Sequence, residues 1–170
     1  MYLILSKIKM KISLITCTFN SGNTLRDTIE SVLMQTYQDY EYLLIDGAST
    51  DTTLEIIYEF EQKFQGRMRW ISEKDSGIYD AMNKGIRMAT GDIVGFLNSD
   101  DFFVSENILS VINNEFSEEN VQAIYGNVGY VRPDNLEKII RMYDSSHWKK
   151  AMFRWGIMPA HPSFYTYRDN

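Results

Sequence analysis

The sequence predicts an α/β protein with a mostly parallel central sheet, helices on both faces and a mixed or antiparallel edge. Strand-like and helix-like stretches alternate between residues 12 and 116, and repeated β-α-β-α units form parallel sheets covered by helices on both faces. The first of the strand-like runs is short and β-rich, and the fourth is nearly all apolar, which is typical of buried strands. After residue 120 the pattern changes to short strand-like runs around the turn Pro133-Asp134-Asn135, which indicates the mixed or antiparallel edge.

Four strands and four helices account for the alternating part of the chain. The predicted strands are Ile12–Thr18, Tyr40–Ile45, Met68–Ile71 and Ile93–Leu97. The predicted helices run from Leu25 to about Gln35, through Leu54, Ile57 and Tyr58, from Ile78 to about Ala89, and through Ile108, Leu109, Ile112 and Phe116. Their apolar residues recur at helical spacing. Thr24–Asp27 predicts a capping box, Asp51 and Ser105 predict helix caps, and Gly91 predicts a helix stop.

Three shorter strands are predicted in the later part of the chain, at Ala123–Tyr125, Gly129–Arg132 and Lys138–Tyr143. From Trp148 onward the chain is rich in aromatic residues, and its pattern favours neither helix nor strand.

Composition limits the class of protein. A chain of 170 residues has the size of one domain, and the net charge of -6 argues against nucleic acid as a partner. The single cysteine, Cys17, excludes an intramolecular disulfide and suits a reducing, cytoplasmic compartment. No apolar stretch is long enough for a transmembrane segment. Residues 1–9 are interpreted as an extension before a domain at 10–170, because Met10 resembles a fresh start.

Polar and acidic residues follow every predicted strand. In open α/β sheets ligands bind beyond the carboxyl ends of the strands, so these residues are expected to share one edge. Carboxylates gathered there repel one another unless a divalent cation joins them, and Mg²⁺ or Mn²⁺ accepts such oxygen ligands together with substrate phosphates. The residues are Thr18 and Asn20, then Asp46, then Glu73 and Asp75, and finally Asn98, Ser99, Asp100 and Asp101.

Each of these residues also has a purely structural interpretation. Asp100 and Asp101 could form a turn before the fourth helix, and Asp46 before Gly47 could be turn chemistry. Asp80 and Lys84 lie four residues apart and could form an ordinary ion pair on a solvated helix face. The functional alternative places Asp80 near a nucleotide, and Lys84 or Arg87 near phosphate. The functional case depends on the groups lying together.

Several motifs, taken in order, resemble one family of enzymes. They are Ile12–Asn20, Ser31–Tyr37, Asp46–Thr53, Gly77–Gly85, Ala89–Asp92 and Phe96–Asp101. The chain from about Lys11 onward resembles the glycosyltransferase family 2 group of inverting enzymes with the GT-A fold, which has a Rossmann-like sheet. The order of the motifs makes the resemblance specific.

The resemblance implies a nucleotide-diphosphate sugar donor, a glycan or lipid-linked acceptor hydroxyl, and transfer of a hexosyl group with inversion in polysaccharide or lipopolysaccharide biosynthesis. Peripheral association with the inner face of a membrane is compatible with it. It implies nucleotide-sugar binding by Thr18, Asn20, Asp46, Ser99 and Asp100, to which the positions of Asp80 and Lys84 on the predicted third helix add those two residues. It also implies metal ligation by Asn98, Asp100 and Asp101, with Asp100 making the main contact because Asn98 replaces the first Asp of the family's Asp-x-Asp motif.

The resemblance leaves the catalytic base unassigned. The family's base is a carboxylate in the acceptor half, and no matching Asp or Glu is found before Asn170. We therefore expect a truncated chain that binds the donor but transfers sugar poorly. His161 is expected either near the donor phosphates or acceptor, or as a packing residue in a loop.

Three other functions compete with sugar transfer. A sugar nucleotidyltransferase needs a basic, Gly-rich loop after the first strand, whereas Phe19–Asn23 contains neither Lys nor Arg. A nicotinamide dehydrogenase is disfavoured because no G-x-G-x-x-G follows a strand. A non-catalytic nucleotide-binding module remains an alternative, distinguished by binding without turnover.

Overall fold

A six-stranded mixed sheet forms the centre of the computed structural model, which describes residues 9–170. Its strands are β1 (Ile12–Thr18), β2 (Tyr40–Asp46), β3 (Met68–Ser72), β4 (Ile93–Phe96), β5 (Ala123–Ile124) and β8 (Tyr165–Tyr167). They lie in the order β3-β2-β1-β4-β8-β5. The first four strands are parallel, and β8 is antiparallel to both of its neighbours. The predicted mostly parallel sheet with a mixed edge is confirmed.

Helices cover both faces of this sheet, as predicted. They are α1 (Leu25–Leu33), α2 (Thr53–Glu61), α3 (Ile78–Met88) and α4 (Ile108–Phe116). The larger core cluster packs the apolar stripes of α1, α2 and α4 against one face, with Ile29, Ile57 and Leu109 fully buried. The smaller cluster packs Ala81 of α3 against Ile15 and Leu43 on the other face. Each helix therefore buries one apolar stripe, which is the main source of its stability.

The register of β1, β2 and β3 aligns their carboxyl ends. Thr18 of β1 lies beside Asp46 of β2, and Asp46 lies beside Ser72 of β3. Loops that follow these strands consequently start at the same height, which brings residues distant in sequence to one edge of the sheet.

The antiparallel edge depends on a close contact between β4 and β8. Gly95 of β4 pairs with Tyr165 of β8, and a Cβ atom at residue 95 would lie 2.0 Å from a ring carbon of Tyr165. The absence of a side chain at Gly95 therefore gives the aromatic ring its place in the core, where Tyr165 is 3% exposed.

Several local predictions need correction. The later strands are shorter or shifted, at Ala123–Ile124, β6 (Val128–Tyr130) and β7 (Arg141–Tyr143), and β6 and β7 form a separate two-stranded sheet. The capping box is wrong: Thr24 makes no side-chain cap of α1, because its hydroxyl donates to the carbonyl oxygen of Ser99 instead. The unassigned aromatic stretch contains 3₁₀ turns at Lys150–Trp155 and His161–Ser163, followed by β8.

Most of the predicted N-terminal extension, residues 1–8, lies outside the described residues. Met10 is already part of the core, and its amide donates to Asn113 at the end of α4. Within residues 9–170 no helix has the length and apolar character needed to cross a bilayer.

Candidate functional site

A cleft of about 530 Å³ opens at the carboxyl ends of the parallel strands. This volume lies in the range of small-molecule and cofactor sites, and the position is where open α/β sheets bind ligands. The lining residues come from β1 and the loop after it, from the loops after β2, β3 and β4, and from the first turns of α3. They are Cys17, Thr18, Phe19, Ser21, Gly47, Lys74, Asp75, Gly77, Ile78, Ala81 and Ser99.

Hydrogen bonds between neighbouring loops fix the shape of this cleft. The side-chain oxygen of Asn20 accepts a hydrogen bond from the backbone amide of Thr50, while the backbone amide of Asn20 donates to the Ser49 hydroxyl. On the other side, Ser21 and Ser99 share a hydrogen bond of 2.9 Å between their hydroxyl oxygens. Asn20 thus joins the loop after β1 to the loop after β2, and Ser21 joins it to the corner after β4.

Asp46 is fully buried at the end of β2. Its carboxylate accepts hydrogen bonds from the Ser49 amide at 3.0 Å, the Ser49 hydroxyl at 2.5 Å and the Ser72 hydroxyl at 2.6 Å. These three donors hold the turn after β2 against the end of β3. Asp46 therefore supports the floor of the cleft, and Gly47 beside it forms part of the surface.

Asp51 was predicted to cap α2, but the capping position is Thr52 and Asp51 lies one residue before it. The Asp51 carboxylate accepts the backbone amide of Thr53, the first residue of α2, at 3.0 Å, and its second oxygen accepts the amide of Gly22. The same carboxylate consequently joins the start of α2 to the loop that follows β1.

A cluster of charges lies on the α3 side of the cleft. The Lys84 ammonium contacts Asp75 at 2.5 Å and Glu73 at 2.8 Å, with Asp80 at 3.8 Å. Hydrogen bonds from Lys84 to Asp75 and Glu73 raise the pKa of the lysine above its ordinary value. Of these four residues only Asp75 lines the cleft. Lys84 therefore positions Asp75, whose place in the cleft the sequence pattern does not distinguish from that of the neighbouring Glu73.

The acidic corner, residues 98–101, comes just after β4. A turn joins the Asp101 amide to the Asn98 carbonyl, and the Asn98 side-chain amide donates to the Asp101 carboxylate at 2.7 Å. Nε2 of His161 lies 3.3 Å from the same Asn98 nitrogen. Asp100 is exposed, next to the lining residue Ser99. Asn98, Asp101 and His161 are thus brought together, with Asp100 projecting from the same turn.

The electrostatics of this corner suit a divalent cation. Burial raises the pKa of Asp101, and the neighbouring Asp100 carboxylate raises it further, against the lowering effects of Asn98 and His161. A positive ion beside the two carboxylates would relieve both penalties. Within residues 9–170, however, no three His, Cys, Asp or Glu side chains form a preassembled metal site. The donor set therefore fits Mg²⁺ or Mn²⁺ bound by one or two carboxylates and completed by phosphate and water.

Thr18 provides a separate indication of a ligand. The residue is 5% exposed and lines the cleft, yet its hydroxyl has no hydrogen-bond partner within the described chain. Buried hydroxyl groups normally have a partner. Cys17, the preceding residue, has its pKa raised to about 12 by burial and by Asp75, so its thiol stays protonated and acts as a packing group.

Comparison with known proteins points to one family. A family model described as Glycosyl transferase family 2 matches residues 13–166. A PGL/p-HBAD biosynthesis glycosyltransferase of Mycobacterium bovis is 36% identical over 144 residues, which cover 85% of this chain and 50% of the relative. This chain thus spans about half the length of the curated relative that it matches.

Solved structures share the fold. A mannosyltransferase from Pyrobaculum calidifontis, solved with GDP-Man and Mn²⁺, aligns with a TM-score of 0.63 and 21% identity over 72% of this chain and 36% of its own. TarS of S. aureus, residues 1–349 solved with UDP-GlcNAc, aligns with a TM-score of 0.60 and 25% identity over 67% of this chain and 33% of its own. The predicted GT-A type of sheet is therefore confirmed.

Proposed function

Because this chain belongs to glycosyl transferase family 2, we propose that it forms the donor-binding part of an enzyme that transfers a sugar from a nucleotide-diphosphate sugar. The sugar is passed to an acceptor hydroxyl group with inversion at the anomeric carbon. TarS, a relative in fold at 25% identity, was solved with UDP-GlcNAc, which supports a nucleotide sugar as the donor.

The observation that carries this proposal is the position of Asp100. An exposed carboxylate stands beside the lining residue Ser99, on the same turn as Asp101. This is where a cation could join the acidic chain to a diphosphate. When bound there, Mg²⁺ or Mn²⁺ would stabilise the negative charge of the departing nucleoside diphosphate.

The remaining cleft residues would hold the nucleotide. The free hydroxyl of Thr18 is available to the ligand, and the exposed ring of Phe19 offers an apolar surface beside it. Asn20 and Asp46 would act by fixing the loops through the hydrogen bonds described above, and Lys84 and Asp80 by positioning Asp75. Asn98 would orient Asp101 and His161 around the metal.

The acceptor is proposed to be a glycan or a lipid-linked sugar used in polysaccharide or glycolipid assembly, on the cytoplasmic face of a membrane. The mycobacterial relative carries PGL/p-HBAD biosynthesis in its name, which supports such a setting. We assign no residue of this chain as the base that takes the acceptor proton. We propose that this carboxylate belongs to the acceptor half of the enzyme.

A thermal-shift panel tests the donor proposal. The chain is heated with UDP-, GDP- and dTDP-sugars, each with and without Mg²⁺ or Mn²⁺. A ligand at roughly 100 times its Kd stabilises a protein by about 2.7 kcal/mol, which corresponds to a Tm rise of about 5–10 °C for a domain of this size. Metal-dependent stabilisation by one nucleotide class is expected. No metal-dependent shift with any nucleotide would overturn the proposal.

Asp100→Ala separates metal binding from folding. Because Asp100 is exposed, the variant should keep the wild-type Tm without ligand while losing the metal-dependent shift. Asp169→Ala, at a side chain that is 89% exposed, removes a carboxylate away from the corner and should leave both values unchanged. Nucleotide binding without any sugar transfer by the full-length enzyme would instead favour a non-catalytic module.

A further inference from the structure

An unusual surface of the described chain is the basic–aromatic segment, residues 128–158. Residues 132–142 are exposed without interruption, although they include apolar side chains of the kind usually found inside. Ile140 is 53% exposed, Met142 is 51% exposed and, further along, Trp155 is 82% exposed. Contiguous exposed apolar residues of this kind mark interaction sites more often than isolated ones.

Charge is distributed unevenly between this segment and the rest of the chain. The segment has six lysines and arginines and three acidic residues, whereas the remainder has 11 basic and 20 acidic residues. All six cations are exposed, and within the described chain none of them forms an ion pair, whereas seven cations elsewhere do. The segment therefore carries a net positive charge, whereas the rest of the chain is strongly negative.

Contacts inside the segment join its parts. Tyr143 of β7 donates from its hydroxyl to the carbonyl of Met158, and the Trp148 indole donates to Ile157. Trp148 also packs edge-on against Phe153 and Tyr125. The β6–β7 ribbon and the turn at Lys150–Trp155 consequently form one structural unit held by aromatic contacts.

This unit is attached at the edge of the donor site. Ser163 donates to the carbonyl of Gly126, just before the segment, and to that of Ala160, just after it. Ser163 belongs to the same 3₁₀ turn as His161, which lies beside Asn98. The two ends of the segment are therefore attached next to the turn that places His161 beside the acidic corner.

We propose that residues 128–158 form a docking surface for a bilayer that contains anionic lipids. Exposed aromatic and aliphatic side chains interleaved with unpaired Lys and Arg are the composition that partitions into the membrane interface. The acidic remainder of the chain would be repelled by the same surface, so the molecule docks in one orientation. The inference rests on the proposed function for its purpose, which is to bring the donor cleft to a lipid-linked acceptor.

Vesicle flotation tests this docking. The chain is mixed with vesicles of phosphatidylcholine alone or of phosphatidylcholine with phosphatidylglycerol, at low and high salt. Binding to the phosphatidylglycerol vesicles that weakens in high salt is expected, because each exposed cation near an anionic surface favours binding about fivefold and salt screens this attraction. No binding to these vesicles would overturn the proposal.

Matched variants locate the surface. Lys149→Glu with Lys150→Glu should reduce vesicle binding by at least roughly thirtyfold, whereas Lys9→Glu with Lys63→Glu changes the net charge equally and should leave binding within a fewfold of the wild type. Trp155→Ser should weaken binding, and Val111→Ser, at a half-exposed position of α4, should not. Equal losses in test and control variants would overturn the docking site.

Two further measurements distinguish lipid docking from dimer formation and from donor binding. If light scattering shows a concentration-dependent dimer that Trp155→Ser dissociates, the surface is an interface between two copies and the lipid proposal is wrong. The metal-dependent nucleotide shift is measured on every variant: its absence in the wild type contradicts the donor proposal alone. Its persistence in a variant that has lost vesicle binding shows that the variant is folded and that docking is a separate property.

Discussion

Glu41 is a buried carboxylate that contacts two cations. Its side chain is 6% exposed, near the start of β2, and contacts the ammonium of Lys11 at 3.3 Å and the guanidinium of Arg69 at 2.9 Å. Burial opposes its ionisation, but hydrogen bonds from Ser13 and Thr90 and the charge of Lys11 lower the pKa from 4.5 to about 2. The carboxylate joins β1, β2 and β3 to the end of α3.

Replacing this carboxylate should therefore destabilise the fold. Glu41→Gln keeps the shape but removes the charge that two cations face, and we expect a loss of about 2 kcal/mol in the free energy of unfolding. Because the folded-state pKa is depressed, the contribution of Glu41 is fully present above pH 4.5 and is lost as the pH falls toward about 2. Urea titrations of wild type and variant across this range should converge at the acid end.

Glu59→Gln is the matched control for that experiment. Glu59 also contacts two cations, Arg26 and Lys63, but its side chain is 44% exposed. Exposed ion pairs contribute little to stability because solvent screens them, so this variant should lose much less than Glu41→Gln. Similar losses in both variants would contradict the role given to burial.

At the level of elements, the junction between β4 and β8 joins the parallel part of the sheet to its antiparallel edge. Gly95 allows the ring of Tyr165 to occupy the space where a side chain would otherwise be. The 3₁₀ turn at His161–Ser163 comes just before β8 and places His161 beside Asn98 of the acidic corner. Packing between β4 and β8 therefore affects the geometry of the site.

Gly95→Ala should disturb this junction. The added methyl group would meet the Tyr165 ring at 2.0 Å, and overpacking of this kind costs about 1–3 kcal/mol. Chemical denaturation should show the loss, and hydrogen exchange should show faster exchange at residues 165–167. Gly126→Ala is the control, because its nearest contact would be an ordinary 3.8 Å. Full stability of Gly95→Ala would show that β8 shifts freely.

Local sequence patterns predicted those elements whose own residues show a helical or strand-like arrangement of apolar side chains. The four parallel strands and four helices have apolar periodicities of their own, and their observed bounds differ from the predicted ones by a few residues at most. β8 has only three residues, Tyr-Thr-Tyr, and it is a strand because distant β4 and β5 pair with it. No pattern within such a short run distinguishes it from a loop.

The candidate site could be predicted in part, for a similar reason. Sheet topology explains why residues after each strand gather at one edge, and that expectation holds for Thr18 and Ser99. The sequence could not reveal that Ser72 would saturate the Asp46 carboxylate or that Lys84 would contact Asp75. Those contacts depend on side-chain packing between segments that are far apart in the chain.

At the level of the whole molecule, the structure divides into a layered core and a peripheral unit. Residues of β1, β2 and β4 are almost fully buried between helices, whereas most of the basic–aromatic segment is exposed. Opening free energies vary across a structure in the same way, with exposed and sparsely packed regions opening first.

Limited trypsin digestion should reveal this division. Among the sites in residues 10–170, we expect the first cleavages after Lys138, Arg141, Lys149, Lys150 and Arg154, because these sites are exposed and lie outside the layered core. Mass spectrometry of early fragments identifies the sites. Earlier cleavage at Arg26 in α1 or at Lys84 in α3 would contradict the division, and anionic vesicles should selectively slow cleavage within the segment.

The placement of β8 also has a consequence for biosynthesis. Among the six strands of the main sheet, β8 comes last along the chain, yet it lies between β4 and β5. A nascent chain leaving the ribosome can assemble β1 to β4 and the donor cleft first, while one side of β4 stays unpaired. Such open edges invite aggregation until they are covered. The nascent chain should therefore be most prone to aggregation between the synthesis of β4 and that of residues 165–167.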